Sequence, residues 1–348
     1  MRPRPITIVA AALLGLLLAR ATHAAPINGL SIFGDSLSDP GNNAIGLGST
    51  AVPPFNVTQR SDITSNSFIP TDPYASSYQY SDGNVWAYPF ATMLGLPSQV
   101  AGPVLGGGLG ANHACGGATT GPLNNSPPPP SLLTQTAQFI ISLGSAQAPE
   151  DALYIVAGGG NNARAAMSAI AGGADPTATI SATAIQFAAD TGDIVDALQG
   201  KGARQIVVWN VPNLGLAPAV AAGGPAASTL GTLITQSMND ALSLRLAGEN
   251  DVKTFDFFGL AMSINANPGA YGLTNVTDAV GAIPGADPAT YLYWDGIHPT
   301  SIAHTIIAQS LYVVVVPEPS GSVLVLASLL SIVTVLRRRS KRLPVVSG

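Results

Sequence analysis

The sequence predicts an α/β domain in which a mainly parallel sheet lies between layers of helices. Two observations carry this reading. Four short apolar runs, at 30–33, 152–157, 205–211 and 252–257, are of the continuous kind that suits strands covered on both faces. Between them, segments at 85–94, 132–143, 177–198 and 230–246 repeat apolar residues every three to four positions, the period of a helix with one buried stripe. Strands alternating with helices of this length need crossover connections, and crossovers make neighbouring strands parallel.

The first strand, 30–33, runs into Gly34-Asp35-Ser36-Leu37-Ser38-Asp39 and then the turn-forming Pro40-Gly41-Asn42-Asn43. A serine just beyond a buried strand points its hydroxyl into the crevice where open α/β sheets bind ligands, so Ser36 is a candidate nucleophile. Near the far end, Asp295-Gly296-Ile297-His298-Pro299-Thr300 places a carboxylate and an imidazole three residues apart. A last helix, 301–311, follows this loop and starts near Pro299, as helices often do. Three stretches lack periodicity and read as loops. Residues 46–80 are rich in Ser, Thr, Pro and Asn, 121–130 end in four prolines, and 265–290 precede the Asp-His motif. There is no tandem repeat and no sign of a second globular domain.

Both ends read as targeting segments. Residues 1–25 carry Arg2 and Arg4, an apolar run at 6–19, and small residues around Ala24 and Ala25, the three-part layout of a signal peptide. At the other end, Val316-Pro317-Glu318-Pro319 precedes an uncharged stretch, 320–336, and then Arg337-Arg338-Arg339-Ser340-Lys341-Arg342. As a helix, 320–336 spans about 25 Å, the short limit for the hydrocarbon core of a bilayer, and the basic cluster would hold its end in the cytoplasm. The expected organisation is a signal peptide at 1–25, one catalytic-sized body at 26–316 and a membrane-inserting tail at 317–348.

Eight of the 14 Lys and Arg lie in those end segments but only one of the 19 Asp and Glu, so the body carries six basic residues against 18 acidic ones. Such a balance repels phosphate backbones and argues against a nucleic-acid partner. Charged residues are only 9% of the chain, so the surface is polar but weakly charged. Cys115 is the one cysteine, which rules out an intrachain disulfide, and it reads as inert core. Four scattered His and one Cys form no metal-ligand cluster, and the glycine runs at 106–110 and 158–160 lack phosphate-loop or dinucleotide spacing. No cofactor is implied. His113, His304 and Trp86 read as structural residues; Trp294 adjoins Asp295 and is a candidate border of the cleft.

With Ser36, Asp295 and His298 in place, the body resembles an SGNH hydrolase of the GDSL esterase/lipase kind. The matching blocks are Ile32-Phe33-Gly34-Asp35-Ser36-Leu37-Ser38-Asp39, then Gly110-Ala111-Asn112-His113-Ala114-Cys115-Gly116-Gly117, then Gly158-Gly159-Gly160-Asn161-Asn162, and Asp295-Gly296-Ile297-His298-Pro299. Ser81-Asp82-Gly83-Asn84-Val85-Trp86 is similar to a Gly-Arg-x-Trp patch of larger members, with Asn84 in place of Arg. The resemblance implies a three-layer, flavodoxin-like α/β/α fold and a Ser-His-Asp triad. It also implies oxyanion donors from the Ser36 amide, the Gly117 amide, with Gly116 adjacent, and the Asn161 side chain. The chain departs from the pattern at Asn162, where the family usually carries Asp.

The tail resembles PEP-CTERM sorting signals, which are recognised by an exosortase. That resemblance implies an exported protein, held transiently in the inner membrane and then placed at the cell envelope or outside it. The expected function is hydrolysis of carboxylic esters through an acyl-enzyme, on a lipid, a small ester or an acylated polysaccharide. The alternatives are a non-catalytic surface or matrix protein on a hydrolase scaffold, and an acetylesterase acting on polysaccharide.

Overall fold

A computed structural model of the chain describes residues 26–46, 79–100, 111–124 and 129–316. The signal segment, the Pro-Glu-Pro tail and most of the 46–80 loop lie outside the described residues. Strands β1 (Gly29–Gly34), β2 (Ala152–Ala157), β3 (Gln205–Trp209) and β4 (Val252–Phe255) form one parallel sheet in that order. The expected class, α/β with a mainly parallel sheet, is the one the chain adopts.

On the outer edge of β1, Ile32 bridges Asn112 in parallel. The Ile32 amide donates to the Ala111 carbonyl (2.9 Å), and the His113 amide donates to the Ile32 carbonyl (2.8 Å). In chain order the sheet therefore runs second, first, third, fourth, fifth. The order reverses between β1 and β2, and at such a switch point the connections leave to opposite sides and open a crevice at the carboxyl ends of the strands. The loop carrying Ser36 leaves β1 there, and the loop carrying Asn161 leaves β2.

Side-chain alternation explains the layers, because successive strand residues face opposite sides of the sheet. Phe33, Tyr154, Val156, Ile206 and Val208 face the helices Leu132–Ser142, Gly160–Ala171, Pro176–Gly200 and Pro225–Arg245, and join them in the main core. Trp209 faces the other side. It packs against Trp86 (ring centroids 4.6 Å), Phe255 (4.8 Å) and Phe257 (5.2 Å). Strands this apolar survive in water only because both faces are covered.

Helix starts follow ordinary capping chemistry. Ser131 accepts the Thr134 amide, and Asp175 accepts the Ala178 amide just ahead of Pro176. Several boundaries differ from expectation for physical reasons. The expected strand 205–211 ends at Trp209 because Val211 exchanges both its backbone groups with the Asn239 side chain instead of a strand. The expected strand 252–257 ends at Phe255 because Asp256 caps a helix, Phe257–Ala266, through the Gly259 amide. The helix Gly160–Ala171, also unexpected, buries Ala163 and Ala166 and packs the partly buried Met167 and Ile170 on the main core, so few large apolar residues mark it in the sequence.

The expected loop 265–290 contains a strand, β5 (Asn275–Ala279), which pairs in parallel with β6 (Tyr291–Tyr293). β6 leads directly into the Asp-His motif, and the helix Ser301–Val315 follows it. Among the described residues, no helix is long and apolar enough to cross a membrane. Contacts group Ile27–Val314 as one unit, which holds every predicted site residue.

Candidate active site

The turn after β1 is fixed from behind. Gln135 clamps the residue ahead of the turn, accepting the Gly34 amide (2.9 Å) and donating to the Gly34 carbonyl (2.9 Å). Asp35 accepts the Leu37 amide, and its own carbonyl accepts the Ser38 amide, which closes a tight turn with Ser36 at its head. Asp39 anchors the other side. Its two carboxylate oxygens accept the amides of Gly41, Asn42, Asn43 and Gly116 at 2.6–3.1 Å. Burial pushes the Asp35 and Asp39 carboxyls up to about 6, against the pull of these amides and, for Asp35, of nearby His298.

The Asp-His loop meets this turn. His298 Nε2 lies 2.9 Å from Ser36 Oγ, and His298 Nδ1 lies 2.6 Å from Asp295 Oδ2. All three residues are buried or nearly so, at 8% exposure for Ser36, 5% for His298 and 0% for Asp295. The second carboxylate oxygen of Asp295 accepts the amides of Ile297 (2.8 Å) and His298 (2.7 Å), so one side chain both shapes the loop and orients the ring. A carboxylate can only accept, so Nδ1 carries the ring proton and Nε2 is left to accept from the serine hydroxyl.

The loop is tied to the body by Trp294, which the sequence offers as a border of the cleft, and by the Ser81–Trp86 patch, to which it gives no role. Trp294 donates its amide to the His298 carbonyl, and the Ser81 hydroxyl donates to the Pro299 carbonyl (3.0 Å). Asp82 accepts the Ser301 amide (2.6 Å) and hydroxyl (3.1 Å) at the start of the last helix. The Tyr80 ring lies against the His298 ring, with centroids 5.0 Å apart. Thus the Ser81-Asp82 patch holds the chain just after His298, at Pro299 and Ser301. Trp86, in the same stretch, donates its indole N–H to Ser38 (2.9 Å) behind the nucleophile turn.

The second and third blocks converge on the same crevice. The Gly116 amide is committed to Asp39, which leaves Gly117 as the residue of that pair whose amide can serve a substrate. Gly117 sits at φ +82°, a conformation that favours glycine. Asn161 Nδ2 donates one hydrogen to the Ala118 carbonyl (2.8 Å), which fixes where its second hydrogen points. Asn162 turns elsewhere. It accepts the Thr120 amide and donates to the Thr120 hydroxyl, which in turn donates to Asp190. The two asparagines therefore separate into one beside the Gly117 segment and one in a structural network.

Gly159, at φ +114°, makes the separation possible by starting the helix Gly160–Ala171 from a backbone position where an added Cβ would strike Phe187 and Val211. Replacing Asn161 by Ala is expected to lower kcat about 100- to 1,000-fold on a simple ester, the usual loss of one oxyanion donor. Asn162→Ala is expected to cost less than 10-fold in kcat and to lower Tm. Steady-state kinetics and thermal unfolding of both variants read this out.

The remaining predicted residues fall outside the chemistry. His113 stacks on Phe33 (ring centroids 5.3 Å), and burial lowers it to about 4. His304 is fully buried on the last helix, and burial lowers it to about 3, which keeps it neutral. Cys115 is buried at 1% exposure. Trp294 is buried with Tyr80 and Val280. Among the described residues, no group of His, Cys, Asp and Glu is placed to hold a metal ion.

Two openings share Ile297, the residue before His298, in their walls. One is an apolar cavity of about 70 Å³ whose wall includes Leu37, Ile297 and Pro299, the chain neighbours of the serine and the histidine. The other is an open groove of about 420 Å³ lined by Asn161, Arg164 and Ile297 among others.

A family model described as GDSL-like lipase/acylhydrolase matches residues 30–311. The chain is 27% identical over 350 aligned residues, 90% of its own length and 52% of the relative's, to a Pseudomonas putida protein described as an uncharacterized protein in the trpE-trpG intergenic region. It is 28% identical over 147 residues, 34% of its own length and 40% of the relative's, to a GDSL esterase/lipase of Arabidopsis thaliana. The chain thus spans about half the length of the curated relatives it matches.

Proposed function

The chain belongs to the GDSL-like lipase/acylhydrolase family, and on that footing we propose that it is an exported serine esterase that cleaves carboxylic esters through an acyl-enzyme. One observation carries the reading: the unbroken chain of contacts from Ser36 Oγ to His298 Nε2 (2.9 Å) and from His298 Nδ1 to Asp295 (2.6 Å). A serine hydroxyl needs a base within hydrogen-bond reach, and an imidazole needs an orienting acceptor; both requirements are met before any substrate arrives. A scaffold that had given up catalysis would have no use for a buried carboxylate aimed at a histidine aimed at a serine.

In the first step the Ser36 oxygen bonds to the ester carbon while His298 Nε2 takes its proton, and the carbonyl electron pair moves onto oxygen. That oxyanion is met by the amides of Ser36 and Gly117 and by Asn161 Nδ2. Each such donor contributes a few kcal/mol, because it is already pointed where charge develops. Collapse breaks the bond to the leaving oxygen, which takes the proton from His298 and departs as the alcohol through the groove beside Arg164. Water then repeats the attack on the acyl-enzyme with His298 as base, releasing the acid and restoring Ser36.

Export rests on the signal-like layout of residues 1–25, and transient membrane anchoring with exosortase-type processing rests on the tail at 317–348. The test is stoichiometric labelling of the purified protein with a serine-reactive phosphonate. One adduct on the peptide carrying Ser36, with matching loss of ester hydrolysis, is the expected result. Hydrolysis that persists after Ser36 is fully labelled, or that is lost while Ser36 stays unlabelled, overturns the proposal.

A further inference from the structure

Resting on the esterase reading above, we infer that the cavity beside Leu37 and Ile297 is the acyl site, and that it selects short aliphatic acyl groups of about four carbons. Its wall contains the residue after the nucleophile and both chain neighbours of His298, while Ser36 and His298 themselves do not line it; an acyl tail leaving a carbonyl at Ser36 reaches it past Leu37 and Ile297. Leu214, Phe257, Ile264 and Leu292 form much of the rest, and no Asp, Glu, Lys or Arg belongs to the lining.

The polar member nearest in kind to a ligand group, Asn213, is already engaged. It accepts the Gly215 amide (3.0 Å) and the Thr232 hydroxyl (2.8 Å), and its Nδ2 lies 3.2 Å from the Met262 sulfur. A hydroxylated or charged acyl group would enter without compensating bonds, which costs affinity. Aliphatic carbon is the chemistry that fits.

Size narrows the class. An apolar cavity of ~150 Å³ holds benzene, six carbons, so about 70 Å³ accommodates roughly three carbons beyond the carbonyl. An acetyl group leaves most of this space empty and forfeits its contacts, while an octanoyl chain exceeds it. Butyryl esters fill it. The cavity thereby separates a short-chain esterase from both a long-chain lipase and a polysaccharide acetylesterase.

The experiment compares kcat/KM for p-nitrophenyl acetate, butyrate and octanoate on the full chain and two variants. Since a methylene in an apolar pocket is worth about 10-fold or more, wild type is expected to favour butyrate over acetate by at least about 10-fold and over octanoate similarly. Ala261→Phe places a ring in the cavity and is expected to bring the butyrate-to-acetate ratio down to about one. Leu214→Ala lengthens the cavity and is expected to raise the octanoate-to-butyrate ratio about 10-fold.

The wild-type profile stands without either variant. A profile flat across the three esters, or highest for acetate, overturns the cavity's role while leaving the esterase intact, as does an unchanged ratio in folded Ala261→Phe. Hydrolysis of none of the three overturns the esterase reading itself.

Discussion

Replacing Ser36 by Ala is expected to lower kcat on a short-chain ester by about five to six orders of magnitude, with His298→Ala close behind and the double variant little worse than either. Attack and proton removal are one event, so deleting either partner removes the whole step and the losses do not add. The residual rate should still exceed the uncatalysed one by about 10³-fold, because the Gly117 and Asn161 donors and the binding crevice remain. Stability should barely move. Ser36 Oγ bonds to the side of His298 that faces the crevice, so its loss costs roughly one ordinary hydrogen bond, about 1 kcal/mol. Single-turnover kinetics beside a melting curve separate the two effects. A folded Ser36→Ala protein that keeps even one hundredth of its activity would mean that the nucleophile lies elsewhere.

The three residues of this chemical chain were readable before any fold because each sits in a short contiguous motif. Ser36 follows a strand and heads a turn, and Asp295 and His298 share one loop. Their supports were not readable. Asp82 holds the start of the last helix across 219 residues of sequence, Ser81 holds the Pro299 carbonyl across 218, and Gln135 clamps Gly34 across 101. Polar residues with partners that distant leave no periodic trace.

The same limit explains why the resemblance favours Gly117 with nothing in the sequence to set it apart from adjacent Gly116. The choice rests on Asp39 capturing the Gly116 amide, a contact between two loops 77 residues apart. Among the elements, the strands, as continuous apolar runs, and the long helices are legible nearly in full. The helices Gly160–Ala171 and Phe257–Ala266 were missed, the first because its buried residues are alanines and the second because Phe257 extends an apolar run that a cap at Asp256 interrupts. The acyl cavity is further still from sequence, since Leu37, Leu214, Phe257 and Ile297 meet only after β1, β3, β4 and the Asp-His loop are assembled.

The second large effect belongs to Asp295. Asp295→Asn is expected to reduce kcat about 10⁴-fold while leaving the fold in place. The asparagine oxygen can take over the bonds from the Ile297 and His298 amides, so the loop keeps its shape. Its NH₂ then replaces the carboxylate oxygen that faces His298 Nδ1. A donor there forces Nδ1 to accept, which moves the ring proton to Nε2 and points a donor at Ser36 instead of an acceptor. The base is present, correctly placed and in the wrong tautomer. Asp295→Ala differs, because it also abandons the two loop amides in a buried site, each worth about 1–3 kcal/mol when left unpaired. The signature is therefore a contrast between variants: Asn with nearly native Tm and a rate collapsed by about four orders of magnitude, Ala with a comparable rate loss and a clear drop in Tm. Equal, modest rate losses in both variants would show that the carboxylate does no more than hold the loop, and the proton path through His298 would have to be redrawn.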